Sequence, residues 1–266
     1  MTAKKPLIAL AAALALAATS LAAPASASNL DQYATSASAT TYYAHYEPAK
    51  ATGAPDVPSC SDTSNSWASQ TGNGADQLTL GFTTAVVPSQ LKVWTVVDPA
   101  TLIKVEVAGA DNVWTIVYTR AYGDTITTGA DCTATPAPHT ITTALVTASG
   151  HSWPNTVVNQ VRLSFDQATG YQTMSWGAQT DAVQLTGATP VAASLKTAAK
   201  VSGTAKVGKK LTLNTGTFTG APTATKTIKW YACSKAVTKA TTKAPSGCKA
   251  ISGATSSSLT LKSAQK

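Results

Sequence analysis

The side chains most able to do chemistry in this chain are carboxylates in a kinked setting and aromatic rings beside turns. Asp56 and Asp62 stand six residues apart in ATGAPDVPSCSDTSNSW, residues 51–67, where Pro55 and Pro58 bend the backbone. Carboxylates joined by inward-turned carbonyls and waters are the all-oxygen set that calcium takes, six to eight ligands at a time. The same residue types also build ordinary turns, so the stretch reads equally as a loop. His151 and Trp153 in SGHSWPN, and Tyr171 and Trp176 in TGYQTMSWG, sit among turn residues. Flat rings offer apolar surface at low entropic cost, which suits the apolar face of a sugar, and Trp153 with Trp176 is the best pair for such a platform. Plugging an end of the fold is the competing role for each ring. YYAHY, Tyr42 to Tyr46, reads either as a strand or as an exposed aromatic patch. No G-x-S-x-G elbow, H-E-x-x-H pair or Gly-rich phosphate loop occurs, and His45, His139 and His151 all fall in loop-like segments, so no enzymatic activity is expected.

The elements that must position these residues alternate with period two. Leu78, Leu80 and Phe82 form one such run, and Leu91, Val93, Thr95 and Val97 another. Ile103, Val105 and Val107 come next, then Trp114, Ile116 and Tyr118, then Val161, Leu163 and Phe165, with Leu211 and Leu213, and Leu259 and Leu261, further on. Each run is short and bounded by Gly, Pro, Asp or Asn, which predicts half-buried antiparallel strands in an all-β protein. Trp67 and Trp114 belong to its core.

Lys4 and Lys5 precede an Ala/Leu run from Leu7 to Ala23, and Ala25-Ser26-Ala27 supplies a small-x-small cleavage pattern. Residues 1–27 therefore read as a signal peptide, the protein as secreted or held at the cell surface, and the remainder as lacking a transmembrane segment. Charge divides the rest of the chain in two. From Gln32 to Pro190 five basic residues face eleven acidic ones, whereas Val191 to Lys266 holds thirteen lysines and no acidic residue. The switch falls at TGATPVAASLKTAAKV and predicts modules at 33–187 and 200–266 joined by a linker at 188–199. Four cysteines in an exported chain are expected to be bridged, and the boundary pairs Cys60 with Cys132 and Cys233 with Cys248.

YATSASATTYYAHYEPAKATGAPDVPSCSDTSNSWAS, DQLTLGF, VEVAGADNVWTIVY and the closing DAVQLTG together resemble the galactose-binding-like, discoidin-related modules of bacterial exported proteins. The resemblance covers residues 33–187. It implies a jelly-roll β-sandwich, usually non-catalytic, that binds carbohydrate through end loops and often holds a structural calcium near its N-terminal turn. Asp181 on the closing strand would then join Asp56 and Asp62 as a calcium ligand. VSGTAKVGKKLTLNTGTFTG, IKWYACS and CKAISGATSSSLTLKSAQK resemble the Ig-like repeats of secreted actinobacterial proteins, which act as spacers, and the copy here is expected to be incomplete. The expected function is non-catalytic carbohydrate recognition or adhesion, with a glycan or an anionic cell-envelope polymer as partner and, because of export, no nucleic acid in vivo. A structural wall or stalk protein, or the non-catalytic part of a larger exported hydrolase, is the alternative.

Overall fold

The computed structural model describes residues 10–14, 27–70, 75–97, 101–120, 137–166, 177–234 and 246–262. It divides into two compact units, one of residues 27–190 and one of residues 191–266 together with residues 1–26. A short strand, β1 (Leu10–Leu14), belongs with the latter.

The 27–190 unit is a two-layered antiparallel sandwich. It contains β2 (Asn29–Tyr33), β3 (Ser36–Ala39), β4 (Trp67–Ala68), β5 (Ala75–Val97), β6 (Leu102–Ala108), β7 (Thr115–Thr119), β8 (Pro138–Ile141), β9 (Val158–Asp166) and β10 (Gln179–Ala188). One long strand serves both layers. The first part of β5 pairs with β3 and β9, and β6 and β7 extend that layer beyond β9. The second part pairs with β8 and β10, and β10 carries β2 and β4. The change of layer coincides with a break in register between Gly81 and Val86, where extra residues let the strand bend. A six-residue helix, α1 (Thr143–Ala148), is capped by the Thr142 hydroxyl, which accepts from the Leu145 N–H, and it contacts β7.

Period-two burial built the interior as expected along β5 and β9: Leu78, Leu80, Leu91, Val93, Val161, Leu163 and Phe165 are all buried. Each such side chain contributes about 1.5–3 kcal/mol of hydrophobic stabilisation. Trp67 is fully buried and packs on Phe165 with ring centroids 5.4 Å apart.

Two runs depart from the alternation. In β6 a register shift between Leu102 and Lys104 makes Ile103 the extra residue, so Leu102 takes the core position and Ile103 does not. In β7 a second shift places Tyr118 opposite Val105 but Ile116 opposite Glu106. Tyr118 is therefore buried while Ile116 faces outward and is 38 % exposed. Trp114 goes with Ile116: it is half-buried outside the core, under the Arg162 guanidinium at 4.2 Å, which corrects its assignment to the interior.

The second unit is built from β11 (Val191–Thr197), β12 (Lys200–Gly203), β13 (Lys210–Asn214), β14 (Thr217–Ala221), β15 (Ile228–Cys233), β16 (Cys248–Ala250) and β17 (Ser258–Thr260). They form sheets β1-β15-β16, β11-β14 and β12-β13-β17 around Trp230, Leu211, Leu213 and Leu261. Trp230 is fully buried, and its indole N–H donates to the Ser256 carbonyl at 2.8 Å. The 188–199 stretch, expected as a linker, contributes β11, which pairs with β14, and the division between units falls at Pro190. Cys233 and Cys248 are directly cross-strand and form the expected disulfide. Cys60 is also disulfide-bonded, and its expected partner Cys132 lies outside the described residues.

Candidate functional site

β5 starts and β9 ends at one end of the sandwich, and the long connection from Thr40 to Ser66 covers that end. Its first half is pinned from several sides. Buried Asp76, at the start of β5, accepts from the Thr40 hydroxyl at 2.7 Å, the Thr41 hydroxyl at 2.8 Å and the Ser69 hydroxyl. The Trp67 indole N–H donates to the Thr41 carbonyl, and the Tyr43 N–H to the Ala68 carbonyl. The Tyr46 N–H closes a turn onto the Tyr43 carbonyl, with His45 in the left-handed region at φ 76°. A side chain there costs energy that only the surrounding bonds can meet. The Tyr46 hydroxyl donates to Asp62 at 2.7 Å, and that bond raises the phenol pKa above its ordinary value. YYAHY is thus a loop. It presents Tyr42 and Tyr43, 45 % and 40 % exposed, side by side on a braced backbone.

The opening of β10 grips the second half of the same connection. Both Gln179 and Asp181 are buried. The Gln179 amide oxygen accepts from the Thr63 N–H and the Ser66 hydroxyl, and its amide nitrogen donates to Asp62 at 2.7 Å. Asp181 accepts from the Asp56 N–H at 3.2 Å and the Val57 N–H at 3.3 Å. Burial pushes the Asp181 carboxyl up to about 6; the two N–H bonds pull it down, and the Asp56 carboxylate adds to the rise. Of the three aspartates expected to hold calcium, the fold brings Asp56 and Asp181 together and commits Asp62 elsewhere, to Tyr46 and Gln179. Among the described residues no group of three or more His, Cys, Asp or Glu side chains that could hold a metal is formed. Two adjoining carboxylates, one of them buried, are a partial set that a divalent cation would relieve, with loop carbonyls needed to complete it. Gln179 had no signal in the sequence beyond its place two residues before Asp181.

The expected aromatic platform does not assemble from the described residues. Tyr171 and Trp176 lie outside them. Trp153 is half-buried against the core, and its indole N–H has no hydrogen-bond partner. The His151 ring nitrogen Nε2 lies 3.0 Å from the Thr119 hydroxyl. At the end opposite Thr40–Ser66, a cavity of about 390 Å³ lies between the β6–β7 turn and the segment Pro154–Val158. A shallower groove of about 470 Å³ crosses β3, β5 and β9 over Ser36, Thr79, Gly81 and Gln160. On β6, burial disfavours the charged Glu106, but hydrogen bonds from Arg162 and Lys104 outweigh it and hold the carboxyl below its ordinary range.

The histidines form no catalytic constellation among the described residues. His139 on β8 is buried with both ring nitrogens unpartnered, and burial, helped by the charge of Arg120, lowers it to about 4. His45 is on the exposed loop, and His151 meets only a threonine hydroxyl.

Residues 23–190 match the model of the family described as Pappalysin-1, SD scarf domain, C-terminal. No curated protein matches the chain. Among solved structures, chitosan-binding module 1 of a chitosanase/glucanase from Paenibacillus sp. IK-5 is 14% identical, over 56% of this chain and 92% of that one, with a TM-score of 0.37. A truncated AlyQ with CBM32 and alginate lyase domains is 13% identical over 61% and 34%, with a TM-score of 0.39. The CBM32 of AlyQ in complex with 4,5-unsaturated mannuronic acid is 12% identical over 59% and 97%, with a TM-score of 0.38.

Proposed function

This chain belongs, through residues 23–190, to the Pappalysin-1 SD scarf domain family, and we propose that its sandwich is a non-catalytic module of an exported protein that binds a saccharide at the end covered by Thr40–Ser66. The observation that carries this reading is the pair Tyr42 and Tyr43, two half-exposed rings on a loop whose backbone is held by Asp76, Ala68, Tyr46 and Asp62. Rings carried on a backbone held in advance stack on a sugar face at a smaller ordering cost than rings on a free loop, and neighbouring hydroxyls and carboxylates supply directional bonds. A calcium ion on Asp56, Asp181 and loop carbonyls would hold the platform from beneath and would do no chemistry. His151 and Trp153 lie away from this end and are assigned to packing. The lysine-rich second unit is a spacer that adds a screened attraction to anionic envelope polymer.

A glycan array on the full chain tests the reading, with Tyr42→Ala and Tyr43→Ala as exposed substitutions that leave the core intact. Signal on a defined glycan class, lost in both variants while thermal unfolding is unchanged, is expected. Signal that survives both substitutions places the site elsewhere, and no signal on any glycan leaves a structural stalk as the function.

A further inference from the structure

A cavity lies at the opposite end, distinct from the tyrosine platform. Its lining is more apolar than polar: Val107, Val113, Pro154 and Val157 supply apolar surface, and Asp111, Thr115 and Thr156 polar groups. About 390 Å³ lies within the range of small-molecule pockets and holds one compact ring or a short aliphatic stem. Asp111 is the one charged side chain among the residues that line it. One carboxylate oxygen accepts from the Val113 N–H at 3.2 Å, and among the described residues the other makes no hydrogen bond.

The turn bearing Asp111 is set before any ligand arrives. The Gln160 side chain on β9 donates to the Gly109 carbonyl at 3.2 Å and to the Asn112 side-chain oxygen at 2.8 Å, and Asn112 itself is left-handed at φ 56°. Gly109 lets the turn close onto the facing segment, since a Cβ there would stand 2.7 Å from the Val157 carbonyl oxygen. The 27–190 unit as a whole is acidic, with all twelve acidic residues of the chain between Asp31 and Asp181 against five basic ones, and Arg162, which lies over Trp114 in the same turn, is neutralised by Glu106.

We propose that the cavity between the β6–β7 turn and Pro154–Val158 binds a primary ammonium carried on a compact apolar-faced body, the apolar part filling the space beside Val107, Val113 and Pro154 and the ammonium pairing with Asp111. An amino sugar and a lysine side chain share this chemistry. Only the free carboxylate oxygen is needed, so the turn's own hydrogen bond to Val113 is kept on binding.

The test is NMR titration of the full chain with glucosamine and with Nα-acetyl-lysine amide, each against its uncharged counterpart, N-acetylglucosamine and Nα-acetyl-norleucine amide. Shifts of the Gly109–Thr115 and Thr156–Val158 amides with at least one amine, weakened by salt and lost at least tenfold in Asp111→Asn, are expected. Asparagine keeps the oxygen that accepts from Val113, so the turn survives the substitution while the charge does not. Response to glucosamine alone identifies a sugar ligand, and response to the lysine derivative alone a peptide. The proposal is overturned if neither amine shifts these amides, if the uncharged counterparts bind equally well, or if Asp111→Asn binds like the wild type. Because Tyr42 and Tyr43 are untouched, a glycan-array signal retained in Asp111→Asn separates failure here from failure of the saccharide site at the tyrosine platform.

Discussion

Acidification should destabilise the sandwich through His139, a loss that Asp181 offsets in the wild type and that its removal exposes. The His139 ring is 4 % exposed, lies against Tyr118 with centroids 6.1 Å apart, and has no partner for either nitrogen, so a proton added there meets no compensating hydrogen bond. Burial first, and the charge of Arg120 second, lower its pKa from 6.5 to about 4. At 1.36 kcal/mol per unit, that difference corresponds to about 3 kcal/mol between the folded and unfolded chains. Between pH 6.5 and 4 the unfolded chain binds the proton and the folded one does not, so stability is fully present above 6.5 and is lost as the pH falls toward 4. Asp181 works in the opposite direction. Its folded pKa is raised from 3.8 to about 6, so its contribution is present below 3.8 and is lost as the pH rises through about 6. In the wild type the two slopes oppose one another between about pH 4 and 6. Asp181→Asn removes one of them and should expose the His139 loss of about 3 kcal/mol, while His139→Leu should leave a sandwich that gains stability on acidification. Urea unfolding in chelator from about pH 7 to about pH 4, read by pulsed hydrogen exchange in β5 and β9 peptides, resolves this unit from the lysine-rich one. Equal pH slopes in the wild type and His139→Leu would refute the reasoning, because a buried unpartnered imidazole cannot be removed without changing the proton balance.

Three further outcomes rest on the same contacts. Calcium in hundredfold excess over its dissociation constant should stabilise the sandwich by about 2.7 kcal/mol relative to chelator, and coincident melting curves would remove the ion from the Asp56–Asp181 site. Cys233→Ser with Cys248→Ser opens a loop of sequence separation 15 and should cost the second unit about 3 kcal/mol in urea unfolding, with the sandwich unaffected. Glu106→Gln leaves Arg162 and Lys104 without their shared carboxylate, which lies 2.9 Å and 3.2 Å from them, and should destabilise the sandwich by about 1–3 kcal/mol; an unchanged urea midpoint would show that Trp114 and solvent suffice for Arg162.

Tyr42 and Tyr43 show how far the candidate site could be read in advance. Their loop is held from other parts of the chain, by Asp76 through Thr40 and Thr41, by Ala68 through Tyr43 and by Asp62 through Tyr46, so YYAHY by itself fitted a strand as well as an exposed aromatic patch. The carboxylates divided for the same reason. Asp62 is near Asp56 in sequence, but Gln179, more than a hundred residues away, holds it apart from the pair that Asp56 makes with Asp181. Nothing local to the aromatic residues beside turns fixes which way they face, and Trp153 turns inward against the core.

By itself the sequence determined the strands of β5 and β9, the burial of Trp67, the Cys233–Cys248 pairing and the contrast of charge on either side of Pro190. These rest on local periodicity, composition and chain separation, which need no knowledge of what packs where. Only the tertiary structure decided that β5 serves two layers, that extra residues in β6 and β7 turn Ile103 and Ile116 out of the core, and that β10 clasps the Thr40–Ser66 connection. Strand register sets each of those outcomes, and register is a property of two strands at once: a single inserted residue reverses the facing of its neighbours while leaving the alternation of either strand, taken alone, unremarkable.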